Sequence, residues 1–100
     1  MYNKKFYING TWTQPSAIKY LDVINPANEE VITQICLGNE KDLNDAVSSA
    51  KNAFNSFSVT SREERLEIFE QIMEVYKKRM NDLSNAVTIE MGAPKTLSEK

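Results

Sequence analysis

Tyr7-Ile8-Asn9-Gly10-Thr11-Trp12, followed by Val23-Ile24-Asn25-Pro26-Ala27-Asn28-Glu29-Glu30-Val31-Ile32, decides how this chain is read. Phe6-Tyr7-Ile8 is aromatic and β-branched, and Thr11-Trp12-Thr13 returns in kind. Asn-Gly between two such runs is the strongest short hairpin signal, because both residues tolerate positive φ. Trp12, Phe6 and Tyr7 could stack on a base or a ring, and read more simply as cross-strand packing on the hairpin. In the second stretch Asn25-Pro26-Ala27-Asn28 is a turn: Pro presets φ, and each Asn can hydrogen-bond the backbone just ahead of it.

Outward from these motifs the pattern holds. Gln14-Pro15-Ser16 breaks the hairpin, Lys19 to Ile24 is the next strand, and Val31 to Leu37 is another, ended by Gly38-Asn39. The last strand does not alternate cleanly, so partial burial on both faces is expected. From Asn39 the apolar period changes from two to 3.6. Asn39 caps a helix, with Asp42 near the favourable end of its dipole, and the stripe is Leu43, Ala46, Val47, Ala50 and Phe54. Ser61-Arg62-Glu63-Glu64 is a capping box. It opens a second stripe of Leu66, Phe69, Ile72, Met73, Tyr76 and Met80. Asn81-Asp82 reads as a break. Leu83 to Met91 continues helically to Gly92, a natural cap with Pro94 beyond it. Lys95 to Lys100 begins another helical turn. The predicted organisation is β-rich over 1–38 and helical over 39–100.

The composition supports a folded segment: 41% hydrophobic and 26% charged residues are globular proportions. A net charge of -2 argues against broad nucleic-acid binding. The one basic run, Lys77-Lys78-Arg79, suits the C-terminal dipole of its helix. No apolar run has the length of a membrane span. The single cysteine and the polar start after Met1 make the cytoplasm the expected compartment.

Chemistry is scarce. The chain has no histidine, which removes Ser-His and Cys-His dyads and most zinc sites. Gly10, Gly38 and Gly92 stand apart, so no phosphate-binding loop forms. Cys36 lies between Ile35 and Leu37 with no basic neighbour and reads as a buried strand residue rather than a nucleophile. Glu63, Glu67, Glu70 and Glu74 recur at helical spacing as a solvated face. An enzyme complete within these residues would have to rely on carboxylates alone.

The order of the motifs resembles the N-terminal segment of NAD(P)-dependent aldehyde dehydrogenases. The likeness runs through Phe6 to Trp12, Val23 to Ile32, Gly38 with Asp42, Ala46-Val47, Ala50 and Ala53-Phe54. It continues through Ser61 to Leu66, Leu83, and Glu90-Met91-Gly92-Ala93-Pro94-Lys95. Ala93 departs from the lysine common at that position. The resemblance implies an α/β fold of the aldehyde dehydrogenase kind, with this chain as the N-terminal part of a Rossmann-like cofactor-binding domain.

It also implies NAD or NADP as cofactor, an aldehyde as substrate, and a homodimer or homotetramer. A cysteine would form a thiohemiacetal and then a thioester, which a glutamate-activated water hydrolyses. No catalytic or cofactor-binding residue of the family carries over onto this chain. Main-chain carbonyls matching Val23 and Ile24 hold a monovalent cation in some members. The chain alone is therefore expected to be inactive. The competing expectation is a small stand-alone α+β module that binds a protein partner without catalysis.

Overall fold

The Asn9-Gly10 turn closes a hairpin of β1 (Phe6–Ile8) and β2 (Thr11–Thr13), with Tyr7 opposite Trp12 in an antiparallel register. Asn9 at φ 53° and Gly10 at φ 76° give the left-handed pair that matches the twist of the strands. The Tyr7 and Trp12 rings meet edge to face at 5.2 Å. The computed structural model describes residues 4–100 of the chain. The remaining elements are β3 (Tyr20–Ile24), β4 (Val31–Cys36), α1 (Glu40–Phe57), α2 (Arg62–Lys78), α3 (Met80–Met91) and α4 (Lys95–Ser98). The strands form two separate pairs, β1 with β2 and β3 with β4. Among the described residues no helix is long and apolar enough to cross a membrane.

The chain divides into two compact units, Met1–Val23 with Thr33–Val59, and Ile24–Ile32 with Thr60–Lys100. In the first, α1 packs on β1. The Phe6 ring lies over Gly38, where a Cβ would stand 3.4 Å from it. The Leu37 N–H donates to the Lys19 carbonyl at 2.8 Å, holding the base of the β3–β4 pair. Cys36 is 7% exposed, the buried strand residue expected from its neighbours. Half-buried positions fall on both faces of β4, as its irregular alternation implied.

The second unit holds the Asn-Pro-Ala-Asn turn. The Asn25 side chain accepts from the Ala27 N–H at 2.9 Å, and that of Asn28 from the Glu30 N–H at 3.1 Å. The Asn25 N–H donates to the Glu30 carbonyl while the Glu29 N–H donates to the Asn25 carbonyl, so two residues oppose one. This is a bulge, and Glu29 takes its left-handed position at φ 59°.

The α2–α3 joint is at Arg79 rather than Asn81-Asp82 as the sequence suggested. Arg79 leaves the helix at φ -108°, ψ 11°. Asp82 then sits in the first turn of α3, where its charge suits the dipole, and pairs with Arg79 at 3.1 Å. Helix-breaking residues are also helix-starting residues, which is why the boundary was read late. The last helical turn is shorter than expected, Lys95–Ser98, and is tied back by the Thr88 hydroxyl donating to Ser98 at 2.9 Å.

The apolar stripes exist, but the chain does not bury them. Among the described residues Cys36 is the one buried apolar side chain, and α2 has no buried residue. A compact monomer of 11.4 kDa exposes about 5,800 Å². Two independent units of half that mass would together expose about 7,000 Å². This chain exposes 8408 Å². The surplus therefore survives whichever reference is used.

Gly92 ends α3 at φ 68°, and a Cβ there would meet Pro26 Cγ at 3.0 Å and the Ala27 nitrogen at 3.5 Å. A Gly92→Ala change adds a left-handed penalty of roughly 1–2 kcal/mol to that clash. Hydrogen exchange at the Ala27 and Glu29 amides is expected to quicken by tenfold or more. Unchanged exchange would show that the turn does not rest on this glycine.

Candidate functional site

A closely bonded polar cluster joins Ser16, Asn39 and Asp42 at the start of α1. The Asn39 side chain accepts from the Asp42 N–H at 3.1 Å, and the Asp42 carboxylate accepts from the Asn39 N–H at 3.1 Å. The other Asp42 oxygen accepts from the Ser16 N–H at 2.9 Å. The Ser16 hydroxyl donates to Asn39 Oδ1 at 2.6 Å. A capping box thus doubles as an anchor for the Pro15–Ser16 corner. Asp42 was expected only as a charge near the helix dipole. The Asn39-x-x-Asp42 spacing did carry the box signal, whereas nothing in the sequence pointed to Ser16.

Burial of Asp42 by itself would push its carboxyl up. The hydrogen bonds from Asn39 and Ser16 outweigh that and hold it below the ordinary carboxylate value. At α2 the Ser61 N–H, 2.6 Å from Glu64 Oε2, and the Ser61 hydroxyl do the same for Glu64. These are structural carboxylates. Each fills a helix N-terminus that could otherwise receive an anion.

Cys36 is enclosed and cannot be reached as a nucleophile without local opening. Val23 and Ile24 are the last two residues of β3, the first half-buried and the second exposed. Among the described residues no three of His, Cys, Asp or Glu gather into a metal site. Glu63, Glu67, Glu70 and Glu74 are exposed along α2, as a solvated face requires. The structure does bring two of the quoted motifs together. The Asn25–Asn28 turn lies against Gly92, so the Asn-Pro-Ala and Glu-Met-Gly segments form one contact. A single sequence carries no signal of that pairing.

A groove of about 710 Å³ runs along α2 and α3, lined by Ile68, Ile72, Val75, Tyr76, Leu83 and Ala86. Gln71, Arg79 and Asp82 also line it, Arg79 and Asp82 paired with each other at 3.1 Å, and the rest of the lining is mainly apolar.

Comparison with known proteins supplies what the geometry does not. The aldehyde dehydrogenase family profile matches residues 12–100. The chain belongs to the aldehyde dehydrogenase family. It is 46% identical over 95 residues to a putative aldehyde dehydrogenase of Staphylococcus epidermidis, covering 95% of this chain and 20% of that protein. It is 40% identical over 91 residues to a 3-succinoylsemialdehyde-pyridine dehydrogenase of a Pseudomonas species, covering 91% of this chain and 19% of that one.

The crystal structure of an aldehyde dehydrogenase from Bartonella henselae superposes with a TM-score of 0.93 at 43% identity, over 96% of this chain and 20% of that one. A cysteine-to-alanine mutant of aldehyde dehydrogenase C from Pseudomonas syringae, crystallised with NAD+ and octanal, superposes at 0.94 with 36% identity, over 97% and 20%. The expected aldehyde dehydrogenase-like α/β fold is therefore borne out. The chain spans about a fifth of the length of these relatives.

The depressed Asp42 carboxyl has a pH consequence. Its contribution to holding Ser16 and α1 is complete above the unfolded value of about 3.9. It is lost as pH falls through the lower folded value. The Asp42 carboxyl carbon, followed by NMR, is expected to titrate below about 3.9. A midpoint at or above that value would contradict the anchor. Asn39→Ala is expected to cost about 1 kcal/mol of α1 stability.

Proposed function

We propose that this chain is the N-terminal part of the cofactor-binding domain of an NAD(P)-dependent aldehyde dehydrogenase. The complete enzyme would oxidise an aldehyde to a carboxylic acid through a cysteine thiohemiacetal and thioester. The observation that carries this is the family match across 12–100 at a fifth of the relatives' length. The NAD+ and octanal bound by the Pseudomonas syringae enzyme support the cofactor and substrate class.

The residues present do not fit NAD(P). The three glycines form no loop, and the N-termini of α1 and α2 are filled by Asp42 and Glu64. No chemical step is therefore assigned to this chain. Its part is structural, and alone it is inactive. The carbonyls of Val23 and Ile24 are proposed as two oxygen donors for a monovalent cation, whose other ligands would come from elsewhere in the enzyme. A cytoplasmic dimer or tetramer is proposed on the strength of the family.

A stand-alone interaction module would need a core of its own. The surplus of exposed surface, and Cys36 as the single buried apolar residue among those described, speak against it.

Two measurements test this reading. The purified chain, given octanal with NAD+ or NADP+, is expected to produce no reduced nicotinamide, and aldehyde-dependent reduction would overturn the inactive assignment. The intact protein weighed from its source is expected to exceed 11.4 kDa several-fold. A mass of 11.4 kDa would overturn the reading as a part.

A further inference from the structure

We propose that Asn9 is a self-modification site: the Gly10 nitrogen attacks the Asn9 side-chain carbonyl, and the hairpin tip converts to isoaspartate. The proposal stands apart from the family reading. In the first step the bond from the Gly10 nitrogen to Asn9 Cγ forms and the Cγ–Nδ2 bond breaks. The Gly10 amide proton leaves with the side-chain nitrogen as ammonia, and a succinimide ring remains. Water then opens the ring. Attack at one carbonyl leaves aspartate, and attack at the other leaves isoaspartate, with the main chain running through the side chain. Nothing is oxidised or reduced, and water is the co-reactant.

Asn9 is the one asparagine of the sequence followed by glycine. Glycine has no Cβ to crowd the attacking nitrogen. Both residues are exposed, and a Cβ built on Gly10 would meet nothing within 4 Å. The other described asparagines are held back. Asn25 precedes Pro26, which has no N–H to lose. Asn44, Asn52, Asn55, Asn81 and Asn85 lie in α1 or α3, where the helix fixes the direction of the following amide. Asn28 and Asn39 are occupied as acceptors from the Glu30 and Asp42 N–H groups.

The shut hairpin slows the reaction. Asn9 is left-handed at φ 53°, a conformation that points the following nitrogen away from the residue's own side chain. Ring closure therefore proceeds from the open fraction. Opening is easy, because each strand has three residues and the sheet ends at two strands. Isoaspartate adds a methylene to the main chain between positions 9 and 10. The pairing of Ile8 with Thr11 and of Tyr7 with Trp12 depends on a two-residue turn, so the hairpin loses its register. The new carboxylate also replaces the carboxamide that accepts from the Ser49 hydroxyl at 3.5 Å, in a hollow shared with Asp45.

The test ages the intact protein at mildly alkaline pH and locates the product by peptide mapping. Enzymatic methylation of isoaspartyl carboxylates separates isoaspartate from aspartate. Conversion at Asn9 is expected to exceed that at any other asparagine at least tenfold, with isoaspartate the larger product. Gly10→Ala is expected to slow it at least tenfold. That change also weakens the turn, which alone would speed the reaction, so slowing has one reading. Trp12→Ala removes the ring contact with Tyr7 and is expected to speed conversion at least threefold. Asn9 no faster than the other asparagines, aspartate as the sole product, or an unchanged rate in either variant would each overturn the proposal.

Discussion

Apolar area stabilises a fold only when it leaves water. Most of the large apolar side chains here keep more than a third of their surface exposed. That constraint governs the rest of the structure. Hydrophobic burial at about 25 cal/mol per Å² is the main term available to offset conformational entropy. What the chain itself supplies is local: an Asn-Gly turn, two capping boxes, an Asx-bonded turn and a glycine cap. Each fixes an element without requiring a core. The result is elements that know their own shape and leave their apolar sides for something else to cover.

Two contacts tie the local devices to one another. In the first unit, the Asp42 carboxylate accepts N–H groups from both Asn39 and Ser16, joining a helix start to the corner after the hairpin. In the second, Gly92 lets Pro26 come so near that an added Cβ would stand 3.0 Å from Pro26 Cγ, a tight contact. The first fixes where the corner after the hairpin meets the start of α1, and the second where the β3–β4 turn meets the end of α3.

The legible parts of the sequence were those with short-range causes. Asn9-Gly10, Ser61-x-x-Glu64, the Asn25–Asn28 turn and the buried Cys36 could all be read because neighbours determine them. The Arg79 joint was misplaced by two residues because Asn and Asp both stop and start helices. The Ser16–Asp42 and Pro26–Gly92 contacts were not legible, since they join residues far apart in sequence. The stripe of α1 was read correctly as apolar, but Phe54 is 65% exposed. Periodicity reports which side of a helix wants burial, not whether this chain provides it. The absence of a candidate active site follows the same logic. The chain resembles the opening fifth of its relatives, and among the described residues no cluster converges on a reacting atom.

Scanning calorimetry of the 100-residue chain, with near-UV circular dichroism in parallel, tests most directly whether it holds secondary structure without a core of its own. The account expects a helical far-UV spectrum, a weak near-UV spectrum and no sharp endotherm. A single cooperative transition with an enthalpy of about 70 kcal/mol, the value for an ordinary domain of this length, would contradict it.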